Sequence, residues 1–93
     1  MSDAGFRRMI DPIRELLRSG EAKHGDDYLD LTDEAYERES VASLLGHLAR
    51  AEKGELYDPE SGLDPLYHVA ARAVLLAGRR KARRDKESKL GRP

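Results

Sequence analysis

Residues 54–68, GELYDPESGLDPLYH, gather Glu55, Asp58, Glu60 and Asp64 around a turn and place His68 four residues after Asp64. Carboxylate oxygens are the ligands hard divalent cations prefer. Nucleotide enzymes use such cations to neutralise phosphate charge. Glu55 and Asp58 form an ExxD pair, a spacing that any acidic helix end can produce. More informative is its company: DEAYE at 33–37 precedes ELYD at 55–58, an [ED]ExxE…ExxD arrangement of acidic helix ends.

Further polar residues fall at helical steps. Asp64, His68 and Arg72 succeed one another every four residues. A carboxylate, an imidazole and a guanidinium one turn apart can hold a metal or a phosphate, or form an exposed ladder that adds a few tenths of a kcal/mol per pair. Glu37 shares the azimuth of Val41, Leu44 and Leu48, and Glu34 flanks it. A carboxylate on an apolar face is costly unless something cationic meets it; in a first, half-exposed turn it also complements the helix dipole. His47 lies on the side of Ser40 and Ser43, where a lone His is more often structural than a ligand.

Three helices must position these groups. Asp11-Pro12 reads as an N-cap followed by proline at the first helical position, with Ile13, Leu16, Leu17 and Gly20 on one face and Gly25 suited to the C-cap. Residues 1–10 either extend this helix or pack as an arm. Thr32 is a good N-cap, and a second helix runs from about Asp33 to Lys53 on a stripe of Val41, Leu44, Leu45 and Leu48, with Gly54 at the C-cap. Asp58-Pro59-Glu60-Ser61-Gly62 is a turn by composition. Asp64-Pro65 repeats the cap-then-proline signal. A third helix follows, with Leu66, Val69, Ala70, Ala73, Leu76 and Ala77 in a stripe rich in small residues. No strand shows convincing alternation. The expected fold is all-α, a small bundle of three principal helices.

Its core must be thin. The 93 residues are 39% hydrophobic and 38% charged, with one Phe and no Trp, near the size where a single core is barely sufficient. Self-association is the expected completion of such a bundle. The absence of Cys excludes disulfides and thiolate metal sites. No run approaches a membrane span and the start lacks a secretory pattern, so the expected location is cytoplasmic. Charge is uneven: residues 1–78 carry 9 basic and 16 acidic side chains, and residues 79–93 carry 8 and 2. The expected division is a helical domain over 1–78 and a basic helix end or tail over 79–93. That tail is either a solvated helix end complementing the dipole or a surface for phosphate, nucleic acid or a neighbour's acidic face. No aromatics interleave with its charges, which makes nucleic acid the less favoured partner.

The run GHLARAEKGELYDPESGLDPLYHVAARAVLLAG, residues 46–78, resembles the second half of the phage dATP/dGTP pyrophosphohydrolase family, one of the MazG-like all-α NTP pyrophosphohydrolases. His47-Leu48, Gly54-Glu55, Asp58-Pro59, Ser61-Gly62-Leu63, Leu66, His68 and Ala70 match its pattern, and Gly20, Lys23 and Gly25 match a G-x-x-K-Y-G segment upstream. The chain departs from the pattern at His24 (Tyr in the family), at Gly46 (Arg) and at Pro65, where the first His of an HxxH-like helix start falls. The resemblance implies hydrolysis of a purine deoxynucleoside triphosphate to monophosphate and pyrophosphate, dependent on Mg²⁺ or Mn²⁺, in a phage-infected bacterial host. It implies Glu55, Asp58 and His68 as metal ligands, with Asp64 standing in for the missing His. It further implies catalytic roles for Glu37 and His47, phosphate contacts for Lys23 and Arg72, and dimers or tetramers with sites between chains. Two other readings compete: a non-catalytic helical module that binds a nucleotide or protein, and a nucleic-acid-binding protein using residues 79–93.

Overall fold

The structure is a computed structural model that describes residues 2–24 and 31–91. Within them the chain forms three helices and no strand: α1 (Asp3–His24), α2 (Glu34–Glu52) and α3 (Pro65–Gly91). The all-α expectation holds.

Each helix begins where a side chain satisfies its first free N–H groups. Ser2 opens α1, its Oγ accepting from Gly5 N–H at 3.1 Å and its carbonyl from Phe6 N–H at 2.9 Å. Asp11-Pro12 therefore does not start this helix; Pro12 lies inside it. Proline there removes the donor to the Arg8 carbonyl. The helix nevertheless continues, because Ala4, Arg7, Arg8 and Met9 are good helix formers and Ser2 caps the first turn. Asp33, one residue after the expected cap, opens α2 by accepting from Tyr36 N–H at 2.9 Å. Gly54 ends the turn beyond α2 with φ +83°, its N–H reaching the Ala51 carbonyl at 2.9 Å. Asp64 opens α3, accepting from Leu66 N–H at 2.9 Å, with Pro65 in the first helical position. The Gly25 C-cap and most of the connection at 26–31 lie outside the described residues.

At 27 residues α3 is about 40 Å long, and it packs against both α2 and α1. The assembly is open. Its radius of gyration is 15.2 Å, against about 12 Å for a compact domain of this length. Buried apolar residues are few, Pro65, Ala71 and Leu76 among those described, whereas Ser40, His47, Asp58, His68 and Arg79 are all buried.

The two expected stripes are thus only partly turned inward. On α2, Val41 and Leu45 are exposed while Ser40 and His47 are buried. On α3, Leu66, Ala73 and Ala77 are exposed, Val69 and Ala70 are half-buried and Leu76 is buried as expected, and the inward face also carries His68, Ala71 and Arg79. The physical reason is the polar loop at 53–64. It folds back onto His47 and His68, and those contacts fix the rotation of both helices.

The stretch after Gly78 remains helical to Gly91, and its arginines reach back to α2. Arg79 Nε donates to Glu37 Oε1 at 3.3 Å and its Nη2 to the Asp33 carbonyl at 3.3 Å. Its guanidinium also lies 4.9 Å from the Tyr36 ring centroid. Arg83 Nη2 donates to the Leu31 carbonyl at 3.1 Å and to Glu37 Oε1. The cation that a carboxylate on this face of α2 requires comes from the basic end of α3.

Candidate functional site

The loop between α2 and α3 is organised by Asp58. Its N–H donates to the Leu63 carbonyl at 2.6 Å, and its own carbonyl accepts from Gly62 N–H at 2.7 Å. Its Oδ1 accepts from Glu60 N–H at 3.0 Å, the side-chain turn that Asp forms with the backbone two residues on. Gly62 turns the chain at φ +76°, in the left-handed region that glycine enters at no steric cost.

This closed turn delivers Asp58 to a histidine pair. Asp58, 1% exposed, accepts on Oδ2 from His47 Nδ1 at 2.5 Å. His68 Nε2 lies 3.9 Å from its Oδ1. The two imidazoles stack, with centroids 4.2 Å apart and planes 13° from parallel. Ser61 completes the cluster: its Oγ accepts from Leu63 N–H at 3.2 Å and lies 2.6 Å from His68 Nε2.

Protonation follows from these contacts. Burial raises the Asp58 carboxyl, but the Glu60 N–H and the His47 imidazole outweigh it, and the net displacement is below the usual range. Burial lowers His68, the His47 beside it lowers it further, and Asp58 and Glu60 only partly oppose them. A neutral His68 accepts the Ser61 hydroxyl proton on Nε2. An ionised Asp58 accepts the proton on His47 Nδ1, and His47 Nε2 is directed towards Glu60 Oε2, 3.9 Å away.

Among the described residues, His47, Glu60 and His68 can each offer one ligand atom within 4.8 Å of the others. Two imidazole nitrogens and a carboxylate oxygen suit a divalent transition ion. Asp58 on the far nitrogen of His47 is the outer carboxylate that commonly orients a ligating histidine. The donor chemistry fits a metal, provided the loop tightens and Ser61 yields His68 Nε2.

Of the residues expected from sequence, the structure brings His47, Asp58 and His68 together. Glu55 is instead half exposed, 3.6 Å from Arg50 Nη1, and Asp64 is occupied as the α3 cap. Glu37 is held by Arg79 and Arg83, ten residues before His47, about 15 Å along the α2 axis. The Lys23 side chain lies outside the described residues. Arg72, one turn beyond His68, lines a cavity of about 540 Å³ between α1 and α3, which His68 and Glu60 also border. Sequence reasoning gathered Glu60 with the acidic turn and matched Ser61 to the family pattern but gave neither a role in the site. Their signal was the Asp-Pro-x-Ser-Gly turn, whose backbone geometry puts positions 60 and 61 beside Asp58.

The family model described as dATP/dGTP diphosphohydrolase, N-terminal, matches residues 4–89. The chain belongs to that family. The match spans all three helices and so includes both the turn at 58–62 and the arginines that close on Glu37. No curated protein and no solved structure matches the chain. Among the described residues no helix is long and apolar enough to cross a membrane.

Proposed function

We propose that this chain hydrolyses purine deoxynucleoside triphosphates, dATP or dGTP, to the monophosphate and diphosphate, with a divalent cation. The supporting observation is the Asp58–His47–His68 cluster, which borders a nucleotide-sized cavity in a chain of this family.

His47, Glu60 and His68 would hold the cation, and the two imidazoles favour Mn²⁺ over Mg²⁺, which prefers all-oxygen ligands. A bound cation supplies charge that stabilises the phosphoryl oxygens. The chain's own residues do the rest. Asp58 fixes the tautomer and direction of His47. Ser61 holds His68 until the loop tightens. Arg72 meets the phosphates from α3. Water adds to the α-phosphorus, its proton passes to solvent at the exposed Glu60 edge, and the bond to the β-phosphate breaks with diphosphate leaving. We place Glu37 in the fold rather than in the reaction, since two arginines already engage it. The reading extends to a homo-oligomer, because so much apolar surface is exposed in the single chain, and to the cytoplasm of a phage-infected host.

A second reading is a helical module that binds a nucleotide without turning it over. The complete hydrogen bonding of Asp58 favours it, since the cluster would then serve to pin the loop. Incubation with each dNTP and Mn²⁺ or Mg²⁺, with products resolved, separates the two. The expected products are dAMP or dGMP and diphosphate in equal amounts; a triphosphate that binds but is never cleaved would establish the second reading.

A further inference from the structure

The body of the chain, residues 1–78, is acidic, yet the cavity between α1 and α3 is bordered by arginines. Arg14 and Arg18 reach it from α1, and Arg72 and Arg79 from α3. Glu60 is the acidic side chain among its lining residues. Arg79 is engaged by Glu37. Arg14, Arg18 and Arg72 have no carboxylate partner among the described residues. Arg14 and Arg18 are four residues apart and share one face of α1. Arg72 stands one turn beyond His68 on the opposite wall.

Like charges that outnumber their counter-charge repel one another, and a polyanion between them relieves that repulsion. Guanidinium groups match phosphate oxygens with paired donors. Between the arginines the wall is apolar and aromatic, with Leu17, Leu75 and Tyr36. The volume of about 540 Å³ lies within the roughly 300–1,000 Å³ typical of small-molecule sites. Glu60 and His68 sit at its border, so a phosphate chain in the cavity would lead directly to the histidine cluster.

We infer that Arg14 and Arg18 of α1, facing Arg72 of α3, form the seat for the polyphosphate of a nucleoside triphosphate, with the base against the Tyr36–Leu75 wall. This deepens the proposed function and rests on it for the identity of the nucleotide. The seat for a polyphosphate chain rests on the cavity alone.

The test uses the full chain, with Arg14→Gln/Arg18→Gln as the variant and Arg84→Gln, an exposed α3 position, as the control. Glutamine keeps the helix propensity and removes the charge, and circular dichroism verifies the fold. Calorimetric titration with inorganic tripolyphosphate, and with a dGTP analogue carrying an α,β-methylene bridge, reads binding without turnover. The double variant should lose about tenfold or more in affinity for both probes. Its KM for dGTP should rise by a similar factor with kcat little changed, while the control binds as wild type. If the wild type binds tripolyphosphate and the double variant does not, the seat stands even when no dNTP is hydrolysed, and only the catalytic reading falls. If dGTP is hydrolysed but affinity and KM are the same in the double variant, the seat is refuted and the catalytic reading survives. A wild-type chain that does not bind tripolyphosphate also refutes it.

Discussion

His47 and Asp58, eleven residues apart on α2 and the following loop, meet through Nδ1 and Oδ2 at 2.5 Å with both side chains buried. One contact therefore does two things. It closes the loop against α2, and it decides which histidine nitrogen is left for a ligand. The ExxD spacing suggests equal partners in Glu55 and Asp58, but the structure separates them: Asp58 is enclosed, and Glu55 faces solvent beside Arg50.

The first prediction follows from that separation. Asp58→Asn should reduce Mn²⁺ affinity by about 10–100-fold, the usual effect of losing an outer carboxylate on a ligating histidine. Glu55→Gln should stay within about 0.5 kcal/mol of wild type in stability, because exposed ion pairs contribute little, and should keep its metal affinity. Calorimetric Mn²⁺ titration of both variants reads this directly. Equal losses in the two would return Glu55 to the metal site.

A second prediction concerns the turn. Gly62 has φ +76° with nothing within 4 Å of where a Cβ would sit, so Gly62→Ala carries a backbone cost and no clash. That cost is on the order of 1–2 kcal/mol. Because Gly62 N–H holds the Asp58 carbonyl, part of the loss should appear as weaker metal binding. Urea unfolding with and without Mn²⁺ measures both. An unchanged midpoint would mean the turn accommodates alanine by another route.

The third prediction is a pH dependence of stability. The Arg83 hydrogen bond lowers the Glu37 carboxyl; burial opposes it, and Arg79 lowers it further, leaving the net below 4.5. A depressed carboxyl pKa stabilises the fold above the unfolded value and ceases to do so as pH falls through the folded one. Glu37→Gln should therefore be less stable than wild type at pH 7, and the two should converge as pH falls through the depressed folded-state pKa of Glu37. Glu37→Ala at pH 7 should cost about 3 kcal/mol or more, since it leaves the buried Arg79 without its carboxylate. Parallel denaturation curves for wild type and Glu37→Gln across this range would refute the linkage.

Much of this fold was legible because caps are local. Gly54, Asp64 and Pro65 act within one turn of themselves, and the helix ends they predict fall within a residue or two; the cap expected at Thr32 falls on its neighbour Asp33. Pro12 misled because a cap-like pair also fits inside a helix whose true cap, Ser2, lies further upstream. Beyond Leu76, which lies on the expected stripe, the buried faces of α2 and α3 were not legible. A search for apolar periodicity passes over a helix that turns Ser40 and His47 inward, or His68 and Arg79. The need for a cation near Glu37 could be read from α2, but its source, 42 residues away at Arg79, depended on the packing of α3.

The final prediction concerns the surface left over. Val41 and Leu45 on α2, Leu66 and Val74 on α3, and Phe6 and Met9 on α1 are all exposed in the single chain, Leu45 at 55%. Three buried apolar side chains among the described residues, Pro65, Ala71 and Leu76, are too few to stabilise a chain of this length alone, and small domains of this kind are commonly completed by association. Leu66, Ala70, Ala73 and Ala77 follow alternating four- and three-residue steps, the spacing of a helix–helix seam, and alanine permits close approach. We therefore expect a homo-oligomer built on these faces. Light scattering across a concentration series should give a mass of at least twice 10.4 kDa. Leu45→Lys and Leu66→Lys should each shift the population towards monomer and lower the melting temperature in a concentration-dependent way. Both changes fall outside the His47–Asp58 cluster, so a monomeric variant that keeps its helical spectrum shows that the interface, not the cluster, was disrupted. A wild-type chain that remains monomeric and stable at high concentration would mean that the polar interior around Asp58 and Arg79 suffices to hold the fold.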